Sequence, residues 1–359
     1  MSPESTSAKL ASPSTRGTQM PSKWSNVLRG VAFGDAWGYR NEFRSYAQLT
    51  QHGLMGPALP EKLIISDDTQ MTLALARALR GASDKTDSEI RADVLTEWVN
   101  WYGDPDNNRA PGNTCMRAID AIKQGAHWLD AVVADSDGCG TVMRVSPAAL
   151  VNSEFHSWQG ISTWQALTTH GSPTGAAASL VGAALIRLAP MPGDTVNYAL
   201  DLTLEAVGDP DDLLLHGLDE WIVENGDYYG PAYQEGARRF ITRGMLNLAH
   251  TLVDADIALR NIRAKDLDPW DLDPCELAGP GWRAHHALST ALLCVDLFPE
   301  DPISALRRAT VTSGDSDSIA AVAGAVLGAI HPDPWPDGWF DRLETRYQKE
   351  ISEAEGFGF

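Results

Sequence analysis

The sequence predicts an all-α fold, on three observations. Apolar residues recur at helical spacing along most of its 359 residues, strand-like alternation is hardly visible, and the run Ile319 to Ile330 carries no charged or strongly polar side chain. A helix that is apolar on every side belongs in the middle of a protein. That run therefore marks the centre of one compact multi-helix domain, expected over residues 23–357. Residues 1–22 are rich in Ser, Thr and Pro, lack the apolar stretch of a secretion signal, and read as a disordered tail.

Taken in order, Trp24, Val27, Leu28 and Val31 start a helix that ends in the small-residue segment Gly34-Asp35-Ala36-Trp37-Gly38, where a neighbouring helix can come close. Ser66 reads as an N-cap. Asp67 and Asp68 then fall in a first turn whose dipole and unpaired N–H groups favour negative charge. Met71, Leu75 and Leu79 carry that helix on to Gly81. Thr86 and Glu89 form a capping box, and Ile90, Val94, Trp98 and Trp101 follow it. Further helices are expected at about 114–123, 158–169, 175–189, 195–207, 211–224, 232–257, 283–298, 302–310 and 338–355. Trp98, Trp101, Trp158, Trp164 and Trp221 sit at helical spacing among aliphatic residues and are assigned to the core.

The formal charge of −20, from 48 acidic and 28 basic residues, argues against a broad electrostatic grip on nucleic-acid backbone or anionic lipid. Cys115, Cys139, Cys275 and Cys294 show no CxxC spacing, which suits a reduced, cytoplasmic setting. Arg187 interrupts the apolar stretch 175–189 too early for a membrane span.

Two acid-plus-hydroxyl clusters carry the chemistry. Capping alone accounts for Asp67 and Asp68 about as well as a functional role does. The second cluster, Gly314-Asp315-Ser316-Asp317-Ser318, opens the all-apolar helix and is therefore carried inward, where carboxylates need partners or a cation. Neither cluster contains Lys or Arg, and hard oxygen ligands of this kind suit one or two ions of the Mg²⁺ or Mn²⁺ type. Glu42 is a third acid beside an apolar element. Gly138 and Gly140 allow backbone N–H groups to approach an anion, although most such pairs are simply turns. His170, at the end of a helix, reads first as a cap for helix carbonyls. Arg144 suits either a phosphate or an acid of its own loop or helix.

Together, Gly34–Gly38 with Glu42, Ser66–Thr69, Gly138–Arg144, Thr169-His170 and Gly314–Ser318 resemble the ordered motif set of the ADP-ribosylglycohydrolases, over about residues 24–330. The resemblance implies that family's compact all-α fold and two Mg²⁺ ions, or Mn²⁺, below a cleft for ADP-ribose. It also implies hydrolysis of the glycosidic bond between ADP-ribose and an acceptor on a protein or small molecule. Carried over by position, Ser66, Asp67, Asp68, Asp315, Asp317 and Ser318 would hold the metal, with Asp317 between the ions. Glu42, Asp67 and Asp317 would act in catalysis. Gly112, Gly138, Cys139, Gly140, Thr141 and Met143 would cradle the pyrophosphate and ribose, and His170 would touch substrate. Ser66 and Ser318 stand where the family usually has threonine, and Cys139 where it usually has asparagine. Trp282 is open between an adenine platform and the core. The acceptor is open too: acidity disfavours a nucleic-acid substrate, yet a single modified base would still enter a cleft. The competing readings are a non-catalytic ADP-ribose-binding protein of the same fold, a structural protein whose acids only cap helices, and a terpene-cyclase-like diphosphate site. Gln70 and Met71 count against the last, which calls for a further acid along that helix.

Overall fold

The computed structural model describes residues 22–357, apart from 153, 155, 210, 211, 225, 226 and 229–235. Residues 1–21, and with them nearly all of the expected tail, lie outside it. Among the described residues the long helices are α1 (Lys23–Gly38), α2 (Asp67–Ala78), α3 (Asp87–Tyr102), α4 (Asn113–Lys123), α5 (Trp158–Leu167), α6 (Pro173–Leu188), α7 (Thr195–Gly208), α8 (Ala237–Lys265), α9 (Ala284–Leu297), α10 (Pro302–Thr310), α11 (Ser316–Ile330) and α12 (Thr345–Ala354). The one sheet described is a two-stranded antiparallel pair, Val223–Glu224 with Asp227–Tyr228.

The expected helices form where periodicity and caps agree. Ser66 caps α2 by accepting from the Asp68 N–H, and Thr86 with Glu89 makes both bonds of the capping box at the start of α3. Three boundaries differ from expectation. The stretch 211–224 is not one helix: Gly217 adopts φ +72°, so a short 3₁₀ turn, Leu213–Leu215, and a short helix, Leu218–Ile222, replace it. Toward the C-terminus, Gly338 at φ +81° and a 3₁₀ turn, Phe340–Arg342, precede α12. Helix α8 is described from Ala237, the expected start at 232–235 lying outside the described residues, and buried Leu259 and Ile262 continue its apolar face beyond residue 257, to Lys265.

The core is one continuous cluster to which most of the long helices contribute, and α11 runs through it with Ser316 to Gly328 all buried. Helices α1 and α11 are antiparallel and touch along their backbones. A Cβ on Gly34 would lie 2.0 Å from the Ala320 carbonyl oxygen, and one on Gly38 would lie 2.4 Å from that of Ser316. This seam of small residues brings the C-terminal end of α1 against the acidic N-terminal turn of α11. The five tryptophans assigned to the core are all buried. Among the described residues no helix is long and apolar enough to cross a membrane.

Candidate active site

Asp35 organises the first cluster. Fully buried on α1, its carboxylate accepts from the backbone N–H of Ser66 at 2.8 and 3.0 Å and of Thr69 at 3.0 Å, and from the Thr69 hydroxyl. These bonds fix the first turn of α2. The Ser66 hydroxyl donates to Asp68 Oδ2 at 3.3 Å and accepts from the Asp68 N–H. Arg109 holds the facing loop: its guanidinium donates to the Ile65 carbonyl at 3.1 Å and pairs with both oxygens of Glu344. The Gly112 N–H in that loop donates to Asp67 Oδ2 at 3.3 Å.

In the second cluster, Asp315 caps α11, and the Ser318 N–H reaches Asp315 Oδ1 at 3.4 Å and Asp317 Oδ1 at 3.1 Å. The segment 280–284 positions this cluster on one side and the glycine loop on the other. The Asp315 N–H donates to the Pro280 carbonyl, the Cys139 N–H to the Trp282 carbonyl, and the Ala284 N–H to the Asp137 carbonyl.

Between these parts lies a cavity of about 430 Å³, lined by Glu42, Asp67, Asp68, Gly112, Gly138, Cys139, Gly140, Met143, His170, Asp315, Asp317 and Ser318, with Phe43 and Trp282 among the other lining residues. Candidate ligand atoms of Glu42, Asp315 and Asp317 all lie within 4.8 Å of one another. Glu42 Oε2 and Asp68 Oδ1 are buried with no hydrogen-bond partner. Burial, followed by the Asp317 charge, pushes Glu42 up to about 9 and Asp35 up to about 7. The same two causes raise Asp67, Asp68 and Asp315 well above the usual carboxylate range, and burial raises Asp317. No basic side chain is among the groups that perturb these four aspartates most. Acids crowded this way either hold protons or share cations, and the orphaned oxygens of Glu42 and Asp68 fit a hard divalent ion.

The structure thus brings most of the sequence-selected residues to one cavity. Two of them stand behind it: Ser66, fully buried with its hydroxyl on Asp68, and Thr141, whose hydroxyl turns back to the Gly138 carbonyl at 3.2 Å. His170 is 2 % exposed, and its Nδ1 lies 2.8 Å from the Thr169 hydroxyl. Burial and the nearby Arg144 push this imidazole well below its ordinary value, so it is neutral at pH 7.

Arg144 corrects the expectation of an acid partner. It is fully buried, donates to Gln165 Oε1 at 2.7 Å and to the Thr169 hydroxyl at 2.8 Å, and stacks 4.5 Å over Trp98. Its work is to orient Thr169 and, through it, His170. Trp282 corrects the core alternative, being 40 % exposed and stacked on Phe43 at 5.4 Å across the cavity mouth.

Sequence reasoning gave no role to Asp35 or Phe43. A buried acid inside an apolar helix was the available signal for Asp35. Nothing in the sequence marked Phe43, whose φ of +61° is strained for a bulky residue and lies beside Glu42.

A second cleft, about 760 Å³, opens elsewhere beside His156, Trp158, Arg187 and Tyr198. It lacks the orphaned acids of the first.

The ADP-ribosylglycohydrolase family model matches residues 18–355. The chain belongs to the ADP-ribosylglycohydrolase family. The mouse ADP-ribosylhydrolase ARH3 is 25% identical to it over 363 residues, with 92% of this chain and 90% of the relative covered. The ADP-ribosyl-dinitrogen reductase glycohydrolase of Rhodospirillum rubrum is 24% identical over 336 residues, with 90% of each covered. A solved structure described as an ADP-ribosylglycohydrolase-related protein complex shares the fold, with a TM-score of 0.55 at 21% identity over 94% of this chain and 96% of that one. Membership in the ADP-ribosylglycohydrolase family supports glycohydrolase activity in the broad sense.

Proposed function

We propose that this protein is a binuclear-metal-dependent hydrolase that cleaves the glycosidic bond between ADP-ribose and an acceptor. The observation that carries the reading is the meeting of Asp67 and Asp68 with Asp315 and Asp317 in one cavity, with two buried carboxylate oxygens left without partners. Ser66, Asp67, Asp68, Asp315, Asp317 and Ser318 would hold two Mg²⁺ or Mn²⁺ ions, and residues 23–357 would act as one catalytic domain.

Bound ions supply electrostatic stabilisation and a more acidic water. The chain's own groups do the rest. In the loop Gly138 to Met143 the N–H groups of Cys139, Thr141, Val142 and Met143 already donate to main-chain carbonyls, which leaves those of Gly138 and Gly140 for the pyrophosphate, an anion that an acidic protein can otherwise attract only weakly. His170, neutral and held by Thr169, orients the ligand beside that loop. Glu42 exchanges a proton with the departing acceptor or the incoming water. Asp67 and Asp317 accept hydrogen bonds from the attacking water as the ribose passes through an oxocarbenium-like state.

The test is release of ADP-ribose from a panel of defined substrates, modified on arginine, serine, a nucleobase or acetate, with and without Mg²⁺. Asp67→Asn and Asp317→Asn are expected to lose release by about a hundred- to a thousandfold, on the scale of removing a group central to transition-state stabilisation, while far-UV circular dichroism stays unchanged. Normal turnover by both variants would overturn the site. ADP-ribose binding by the wild-type protein without turnover of any substrate would assign it instead as a reader.

A further inference from the structure

The loop 103–112, between α3 and α4, reaches the cavity wall with Ala110, Pro111 and Gly112. One of its residues brackets the turn that presents the first acids. Arg109 donates from its guanidinium to the Ile65 carbonyl at 3.1 Å, and its own carbonyl accepts the Asp67 N–H at 3.3 Å, so it grips the chain on either side of Ser66. Three residues on, the Gly112 N–H reaches Asp67 Oδ2. Between these two anchors Ala110 sits at φ +56°, a left-handed conformation that is unfavourable for alanine and persists only where its surroundings hold it.

Those surroundings come from the far end of the chain. Glu344 receives two bonds from the Arg109 guanidinium, at 2.6 and 2.8 Å, and the arginine side chain is 14 % exposed. The same guanidinium lies 5.3 Å over the Tyr347 ring. The Tyr347 hydroxyl accepts from Gln70 Nε2 at 2.7 Å, and that amide also reaches the Asp106 carbonyl at 3.2 Å, which ties the loop to α2. Ahead of the acidic turn, the Leu63 N–H donates to the Arg342 carbonyl at 2.9 Å. Residues 342–347 thus touch the loop, α2 and the chain entering the turn while standing outside the cavity lining.

We infer that Arg109, braced by Glu344 and Tyr347, is a positioning residue that sets how Asp67 presents its carboxylate to a divalent ion. The inference rests on the reading of Asp67 as a metal ligand, and it gives the C-terminal segment, beyond the motifs of residues 24–330, a part in the site. Two bonds to Glu344 and a third to Ile65 fix the angle of a planar guanidinium, which a lysine ammonium cannot reproduce.

The test is calorimetric titration of the full-length protein with Mg²⁺, together with the Mg²⁺ dependence of ADP-ribose release, for wild type, Arg109→Ala, Arg109→Lys and Arg346→Ala. Arg346 is the control, because it pairs with Asp104 and Asp106 on the outer edge of the same loop through side chains open to solvent. Arg109→Ala is expected to bind Mg²⁺ about ten- to a hundredfold more weakly, the scale for a group that orients a ligand, with unchanged far-UV circular dichroism. Its release of ADP-ribose should recover as Mg²⁺ is raised. Arg109→Lys should fall between Arg109→Ala and wild type, and it carries the comparison if the alanine variant does not fold. Arg346→Ala should keep wild-type Mg²⁺ affinity. Equal Mg²⁺ affinity of wild type and both Arg109 variants overturns the inference and leaves the hydrolase reading standing, as does an equal loss in Arg346→Ala. Weakened Mg²⁺ binding by the Arg109 variants alone upholds it, and a wild-type protein that binds Mg²⁺ but releases no ADP-ribose overturns only the hydrolase reading. Wild-type protein that binds no Mg²⁺ overturns both.

Discussion

Asp35 commits its carboxylate to the first turn of α2, and that local act fixes where Ser66, Asp67 and Asp68 stand. In Asp35→Asn a side-chain amide replaces one of the accepting oxygens and leaves the Thr69 N–H or hydroxyl without an acceptor. A buried donor left unsatisfied costs about 1–3 kcal/mol. The variant should melt several degrees lower and bind Mg²⁺ more weakly, by differential scanning calorimetry and isothermal titration. An unchanged melting temperature together with unchanged Mg²⁺ affinity would remove Asp35 from its positioning role. Arg144 works in the same indirect way: its guanidinium holds Thr169, and Thr169 holds His170. Arg144→Lys keeps the charge but loses the planar fork, so weaker ADP-ribose binding with intact Mg²⁺ binding is expected from paired calorimetric titrations.

Among the elements, the α1–α11 seam has the longest reach, because it carries Asp35 to Asp317 across the width of the chain. Its tolerance for bulk is small: the atom nearest a new Cβ at Gly34 is the backbone oxygen of Ala320, which cannot rotate away. Overpacking of this kind costs about 1–3 kcal/mol, more where backbone must move. Gly34→Ala should lower the melting temperature and loosen Mg²⁺ binding together. Gly103→Ala, whose nearest neighbour is 3.6 Å away, should change neither. Equal behaviour of the two variants would mean that the seam does not set the spacing of the clusters.

For the molecule as a whole, the buried acids make stability depend on pH and cation together. Glu42 is raised from 4.5 to about 9 and Asp35 from 3.8 to about 7, so in the folded, metal-free protein both prefer to stay protonated. Groups shifted upward stabilise the fold fully below their unfolded values, and that contribution is lost as pH rises through the folded ones. Metal-free protein should therefore lose thermal stability between about pH 4 and pH 9, and Mg²⁺ should restore more of it at pH 8 than at pH 5. A melting temperature independent of pH in chelator, with no response to Mg²⁺, would contradict a cation-sharing acid cluster.

The sequence by itself determined most of the helices, the caps at Ser66 and Thr86 and the chemical character of both clusters, because each of these rests on residues within a few positions of one another. It marked the Thr86–Glu89 capping box, the all-apolar α11 and the oxygen-rich turns at Ser66 and Gly314. It did not determine that Asp35 would bind the first turn of α2, that Arg144 would lack an acid partner, or that Trp282 would stack on Phe43 at the cavity mouth. Those outcomes depend on contacts between segments far apart in the chain: Asp35 with the start of α2, Arg144 with Gln165 and Thr169, and Trp282 with Phe43. The cavity exists because packing, acting between parts of the chain hundreds of residues apart, brings together acids that repel one another.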